Sequence, residues 1–323
     1  MRTATIFIPT YNGQKYIKDC IEAVKSQEAP KGWSVEIIIT DSSSTDKTVE
    51  IIKNYHDIRL NIISKDTFSH GGTRSEAARL ARGEVVVYLT QDAIPASQDW
   101  LSYMLEPFEL NQKIVAVFGK QIPRKDAPTT IKREVSGVFS SLGPDHSLMT
   151  HRAVNLLSGK AVNPKATIFL SDVNAAYKRD YLLKKGFKKV DYAEDQLIGK
   201  QIIEDDGLYK VYSPFAAVIH SNDYGPFQYF YRKIDERAGM YKAVGIDLRT
   251  GKKQAIKNVI VQTIFDDLHS IRDTGLSISK KIKSVLFLNF LYNLSSNRAQ
   301  LYDIKKIIYN KKLSLEKRKN GNR

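Results

Sequence analysis

Two kinds of apolar patterning alternate along the first half of the chain. Ala4 to Pro9, Val35 to Thr40, Arg59 to Ser64 and Val85 to Thr90 are near-continuous apolar runs, the pattern of strands covered on both faces. Between them, Gln14 to Gln27, Asp46 to Tyr55 and Gly72 to Ala81 space their apolar residues as helices do. Strand and helix in strict alternation predict an α/β fold, a Rossmann-like, doubly wound, mostly parallel sheet with crossover helices. In such a sheet the loops beyond the carboxyl ends of the strands share one rim, and ligands bind there.

The pattern changes after that. Gln121 to Lys165, with Pro123, Pro128, Pro144 and Pro164, is polar and irregular, and is expected to be a lid or loop beside a site. Gln254 to Arg272, Lys280 to Ser295 and Gln300 to Asn310 carry apolar residues at mixed helical spacing with lysines between them. These predict a C-terminal helical appendage, with an α/β domain over 1–245 and a basic amphipathic region over 246–323.

Charge sharpens the division. The chain of 323 residues has a net charge of +15, and residues 227 to 323 hold 21 Lys/Arg against 8 Asp/Glu, a net +13. A basic helical region of this kind suits an anionic membrane surface, nucleic acid or water. Ser284 to Leu294 is strongly apolar but broken by asparagines, and too short for the roughly 20 residues of a spanning helix. Its side chains either lie in a membrane interface beside Lys280, Lys281 and Lys283, or pack helix on helix; surplus apolar faces also suit a homodimer. Nucleic acid is disfavoured, because the charge is not interleaved with stacking aromatics and no nucleic-acid motif occurs. Cys20 is the single cysteine, so no disulfide framework exists, and the N-terminus reads as a strand rather than an export signal. Both features suit the cytoplasm.

The strand-end loops carry the candidate chemistry. They are Pro9-Thr10-Tyr11-Asn12-Gly13, Asp41-Ser42-Ser43-Ser44-Thr45-Asp46, Phe68-Ser69-His70-Gly71-Gly72-Thr73-Arg74 and Gln91-Asp92-Ala93. Each alone is an ordinary cap or turn; four in register point to a site. Asp92 places a carboxylate where a buried strand ends. Glu194 and Asp195 form an acid pair at a turn entering a helix; brought together with Asp92 from a distant part of the chain, they suit a metal ligand plus a general base, or they are simply an acidic helix start favoured by the helix dipole.

These loops resemble those of the family 2 glycosyltransferases, whose nucleotide-sugar-binding domain has a GT-A fold and opens with an apolar strand and Pro-Thr-Tyr-Asn, here Ile6 to Asn12. The rhamnosyltransferase subgroup is closer still. It has counterparts, in the same order, of His70-Gly71-Gly72-Thr73-Arg74, Gln91-Asp92-Ala93-Ile94-Pro95, Ser171-Asp172-Val173-Asn174 and Ala193-Glu194-Asp195-Gln196. The resemblance spans residues 4 to 245 and leaves the basic region outside.

What the resemblance implies is specific. Pro9, Thr10 and Tyr11 shape the base pocket, with Ser43 on pattern beside Asp41, which accepts from the ring N–H of thymine or uracil. Arg74 contacts the diphosphate behind Gly71 and Gly72, or is a salt-bridged helix residue; His70 is structural or touches substrate. Gln91 flanks Asp92, which holds Mn²⁺ or Mg²⁺ on the diphosphate, and His220 supplies a second ligand or is a hydrogen-bonded strand-end histidine. Asp195 is the catalytic base, with Glu194 beside it. The implied reaction is an inverting, metal-dependent transfer of L-rhamnose from dTDP-L-rhamnose to a saccharide or lipid-linked saccharide, at the inner face of the membrane. A UDP-hexose donor is the alternative. Ser75 and Asn222 depart from the residues common at their positions, Asn and His.

Overall fold

The computed structural model describes residues 1–150, 153–155, 167–188, 190, 192–245 and 247–303. It divides into two compact units, Met1–Ile122 with Val138–His220, and Pro123–Gly137 with the chain from Ser221 onward.

The first unit is built on one sheet. β1 (Arg2–Thr10), β2 (Trp33–Asp41), β3 (Ile58–Ile62) and β4 (Val85–Leu89) are connected through α1 (Ile17–Lys25), α2 (Thr48–Lys53) and α3 (His70–Leu80). They lie in the order β3-β2-β1-β4, all parallel. Ile6, Phe7 and Ile8 of β1 and all five residues of β4 are buried, which accounts for their unbroken apolar runs. The order reverses at β1, so β1 and β4 part to opposite sides of a topological switch point, with Thr10-Tyr11 at the end of one and Gln91-Asp92 beyond the other.

The sheet continues as β9 (Asn174–Lys178), β6 (Ile114–Ile122) and β10 (Tyr209–Ile219), with β9 inserted antiparallel between β4 and β6. Asn174 joins these strands: its amide donates to the Ala216 carbonyl at 2.7 Å and accepts from the indole of fully buried Trp100 at 2.9 Å. Gly119 is required beside it, since a Cβ there would lie 1.8 Å from the Ala216 carbonyl oxygen. The short β5 (Ile94–Pro95) turns back to pair antiparallel with Val218 and Ile219 of β10. α4 (Trp100–Leu105) and α5 (Pro107–Leu110) follow it.

The stretch expected to be irregular contains α6 (Thr129–Ser140), β7 (Ser147–Met149) and β8 (Ala153–Asn155), so the loop expectation is corrected there. Its residues 151–152 and 156–165 lie outside the described residues. α7 (Arg179–Lys185) and α8 (Glu194–Lys200) complete the first unit, and a π-helical turn, Gln201–Asp205, extends α8.

The second unit is helical. It contains α9 (Pro226–Val244), α10 (Lys252–Arg272), α11 (Ile278–Lys283) and α12 (Asn289–Ala299). It begins at Ser221 rather than at 246 and takes Pro123–Gly137 with it, a different division from the one expected. Long-range bonds account for the shift: Arg237 of α9 donates to the Ala299 carbonyl at 2.6 Å, and Thr130 donates to Asp266 at 2.8 Å. The expected helix over Gln300 to Asn310 lies outside the described residues from 304 onward.

Candidate active site

The first two rim loops are laced together. Asn12, in the left-handed region at φ 47°, accepts from the Thr45 amide at 2.8 Å, and its own amide donates to Ser44 Oγ at 2.8 Å. Gly13 donates to Thr48 and the Gln14 amide to Asp46. Ser43, also left-handed at φ 60°, donates to the Ile63 carbonyl at 2.8 Å. Two non-glycine residues held at positive φ are costly, and such strain persists only where the surroundings impose it.

Asp41 is the centre of this lacing. It is fully buried, and its carboxylate accepts from Thr10 Oγ1 at 2.7 Å, from the Ser44 amide at 2.8 Å and from Ser44 Oγ at 2.6 Å. Both oxygens are therefore turned inward to the loop, not toward a base as the resemblance implies. Tyr11 and Pro9 remain at the surface of the same loop, with Tyr11 38% exposed and its hydroxyl accepting from Lys65 Nζ at 2.8 Å. Gln91 clamps the switch point by exchanging two hydrogen bonds with the backbone of Tyr11, at 3.0 and 3.1 Å.

Asp92 and His220 come together because β5 doubles back onto the end of β10. His220 Nε2 lies 3.4 Å from Asp92 Oδ2. On the other side of the ring Nδ1 is 3.0 Å from Gln121 Oε1, and Gln121 in turn donates to Ser171 at 3.0 Å. An amide oxygen only accepts, so Nδ1 carries the hydrogen and Nε2 faces the carboxylate with its lone pair or a second proton. In the lone-pair form the facing carboxylate would suit a cation between them, and a histidine whose far nitrogen is fixed by a hydrogen bond is the usual form of a metal ligand. Among the described residues no group of three or more His, Cys, Asp or Glu could hold a metal ion. Asp92 and His220 could together offer two ligands to a divalent cation, which would take further oxygens from a bound ligand or water.

The second acid site is a buried charge cluster. Arg74 on α3 is 6% exposed; its Nη1 donates to Glu194 Oε1 at 2.7 Å and its Nε lies 3.3 Å from Asp172 Oδ2. Asp172 also accepts from Tyr177 at 2.6 Å. The sequence offered two readings of Arg74, and the structure holds it in the ion pair. The glycines before it serve the same packing. A Cβ on Gly71 would lie 2.9 Å from the Lys188 carbonyl oxygen and 3.2 Å from Phe187 Cβ, and one on Gly72 would meet Ser69 Oγ, which caps α3. Close approach of α3 to the segment before α8 therefore accounts for Gly71, without a ligand. His70 opens α3 half-buried, edge-on to Phe68 at 5.1 Å.

Three carboxylates share that one guanidinium. Asp195, half-buried beside Glu194, is pushed up to about 8 by desolvation, then by the charges of Glu194 and Asp172, against the pull of Arg74. Burial likewise raises Asp172 to about 6. Ala193 precedes the pair in the left-handed conformation, φ 65°, which sets the direction in which α8 begins. Fully buried Lys210 donates to the Phe169 carbonyl at 2.5 Å, and desolvation holds its ammonium well below the usual lysine range while Asp195 pulls it up. Asp172, Gln121 and Lys210 were not singled out from the sequence. The signals were there: an acid in a quoted motif, and a lysine inside the apolar run of β10.

The architecture is that of a GT-A glycosyltransferase, with a rim of loops at a β1/β4 switch point and acids on two further loops. Residues 5–184 match the family described as Glycosyl transferase family 2. The chain is 34% identical over 245 residues to an O-antigen chain rhamnosyltransferase of Salmonella typhimurium, covering 72% of this chain and 70% of that protein. A second O-antigen chain rhamnosyltransferase, from Salmonella anatum, is 33% identical over 73% of this chain and 71% of its own. The fold is similar to that of a mannosyltransferase from Pyrobaculum calidifontis solved in complex with GDP-Man and Mn²⁺, with a TM-score of 0.59, 17% identity and coverage of 95% and 87% of the two chains. The chain belongs to glycosyl transferase family 2. It is a glycosyltransferase, which decides between an enzyme and a basic binding module.

Proposed function

We propose that this chain is an inverting, metal-dependent rhamnosyltransferase that moves L-rhamnose from dTDP-L-rhamnose to a hydroxyl of a growing, lipid-linked surface polysaccharide, at the cytoplasmic face of a membrane. The observation that carries the chemistry is Asp195, a carboxyl at the start of α8 that burial, then the charges of Glu194 and Asp172, raises to about 8. Likeness to two O-antigen rhamnosyltransferases supports the donor.

In the transfer, the acceptor oxygen forms a bond to the anomeric carbon as the bond from that carbon to phosphate breaks. The electron pair leaves with the nucleoside diphosphate, and Asp195 takes the acceptor proton. Glu194, fixed by Arg74, positions its neighbour. The Tyr11 and Pro9 surface, stiffened from beneath by Asp41, Thr10 and Ser44, receives the base; Ser43 ties the neighbouring loop to the Ile63 carbonyl, and Gln91 keeps the Tyr11 loop against the start of the Asp92 turn. Asp92 and His220 would hold Mn²⁺ or Mg²⁺, and the cation would neutralise charge on the departing diphosphate; an imidazole ligand favours Mn²⁺.

The test is turnover of dTDP-L-rhamnose against UDP-glucose by purified protein, with a saccharide acceptor, before and after removal of divalent cations. Turnover of dTDP-L-rhamnose that chelation abolishes and Mn²⁺ restores is the expected result. Preference for UDP-glucose would overturn the donor, and turnover indifferent to chelation would overturn the metal. The base and sugar contacts that separate these donors are few, so the preference is expected to be roughly 10²-fold rather than absolute.

A further inference from the structure

Two helices of the second unit, α10 and α12, pair through polar side chains and turn many of their large apolar residues outward. α10 and α12 run antiparallel along a seam of polar side chains: Asn297 donates to Gln262 at 3.0 Å, Asn293 to Asp266 at 2.9 Å and Asn289 to Ser270 at 2.9 Å. Each step advances four residues on both helices, one turn at a time. Asp266, fully buried, also accepts from Arg133 at 2.7 Å and from Thr130. The apolar residues point the other way. Ile256, Ile260, Ile264 and Leu268 recur every four residues along α10 and are 50% to 63% exposed, while Leu286, just before α12, is 73% exposed and Phe290 47%. A helix pair packed against water alone would place its apolar stripe inward and its polar residues outward. An outward apolar face of this extent marks a contact with something apolar.

Charge selects what that is. Exposed Lys257 stands one residue from Ile256 and three from Ile260; Arg272 follows Ile271 and Lys283 follows Ile282. Over the described stretch 252–303, eight Lys/Arg stand against four Asp/Glu, and one of those acids, Asp266, is buried, so two copies apposed on this face would bring like charge to like. Anionic headgroups complement it. No described helix is long and apolar enough to cross a membrane. α10, with 21 residues, is roughly 30 Å long and suits a position in the plane of the headgroups.

We propose that the outward apolar side chains of α10 and α12 enter the interface of an anionic bilayer, with the flanking lysines and arginine on its phosphates. The inference deepens the membrane-surface reading above and rests on it, but vesicle binding is measured without any sugar donor, so a wrong donor assignment leaves it untouched. The full chain is sedimented with phosphatidylcholine–phosphatidylglycerol vesicles and with phosphatidylcholine alone, beside the Ile264→Glu/Leu286→Glu variant. The expected result is binding to the anionic vesicles, weakened by salt and reduced roughly tenfold or more in the variant, whose thermal midpoint and donor turnover stay as in the parent. Absence of binding to anionic vesicles overturns the proposal. So does a dimer in light scattering that the double variant dissociates while vesicles are ignored, which would assign the face to a second copy of the chain.

Discussion

Asp195→Asn is expected to lower the rate of sugar transfer by about 10³-fold, within the range a positioned general base supplies. The substitution keeps the size of the side chain and its place at the start of α8, and removes only the ability to accept a proton. Donor binding should change little, because the loops proposed to receive the nucleotide follow β1, β2 and β4, and Asp195 belongs to none of them. A drop in kcat with an unchanged dissociation constant for the nucleotide sugar is therefore the expected signature. Equal losses in both would mean that the carboxylate binds donor instead.

Arg74→Met is expected to have the largest effect on stability. It leaves Glu194 and Asp172 buried without their shared cation, and breaking a buried ion pair from one side costs about 3–5 kcal/mol. The cost should depend on pH in a definite direction. Asp172 is already raised to about 6, and removing Arg74 removes what lowers it, so its folded-state value climbs further. A carboxyl raised on folding favours the folded state when protonated and loses that contribution as pH rises through the folded value. The deficit of Arg74→Met relative to the parent should thus be larger at pH 8 than at pH 5. Adding Asp172→Asn should recover part of it. Denaturant midpoints at the two pH values check both statements, and a deficit independent of pH would mean that lost packing dominates.

The parallel part of the sheet was legible because its strands are buried on both faces and so read as unbroken apolar runs, most clearly in Val85 to Leu89. β9 was not, because Asn174-Ala-Ala-Tyr-Lys178 is short and opens on a polar residue whose burial makes sense only once Trp100 and Ala216 stand beside it. α6 was hidden by the prolines around it. The boundary of the second unit was misplaced for a similar reason: partners such as Thr130 and Asp266 lie 136 residues apart, and no local pattern joins them.

The candidate site was legible as a set of loops, less so as a set of contacts. Asp92 and His220 were paired from motif order, and the turn of β5 onto β10 brings them to 3.4 Å. Arg74 is the opposite case. A guanidinium behind two glycines suits a phosphate, yet its partner Glu194 lies 120 residues away, and the glycines answer to the closeness of Phe187 and Lys188. Asp41 likewise finds its donors in Thr10 and Ser44. Short-range pattern shows which side chains carry chemistry; whether a charge is already paired depends on the far ends of other strands.

The measurement that bears most directly on the base assignment is the pH dependence of kcat/KM for sugar transfer, in the parent and in Asp172→Asn. A base must be deprotonated to act, so the rate of the parent should rise with pH and level off above about 8, the value that burial and the nearby carboxylates impose on Asp195. Removing the Asp172 charge takes away one of the groups that raise Asp195 and leaves Arg74 to pull harder, so the rising limb should move to lower pH. A limb that stays where it was in Asp172→Asn would contradict the account.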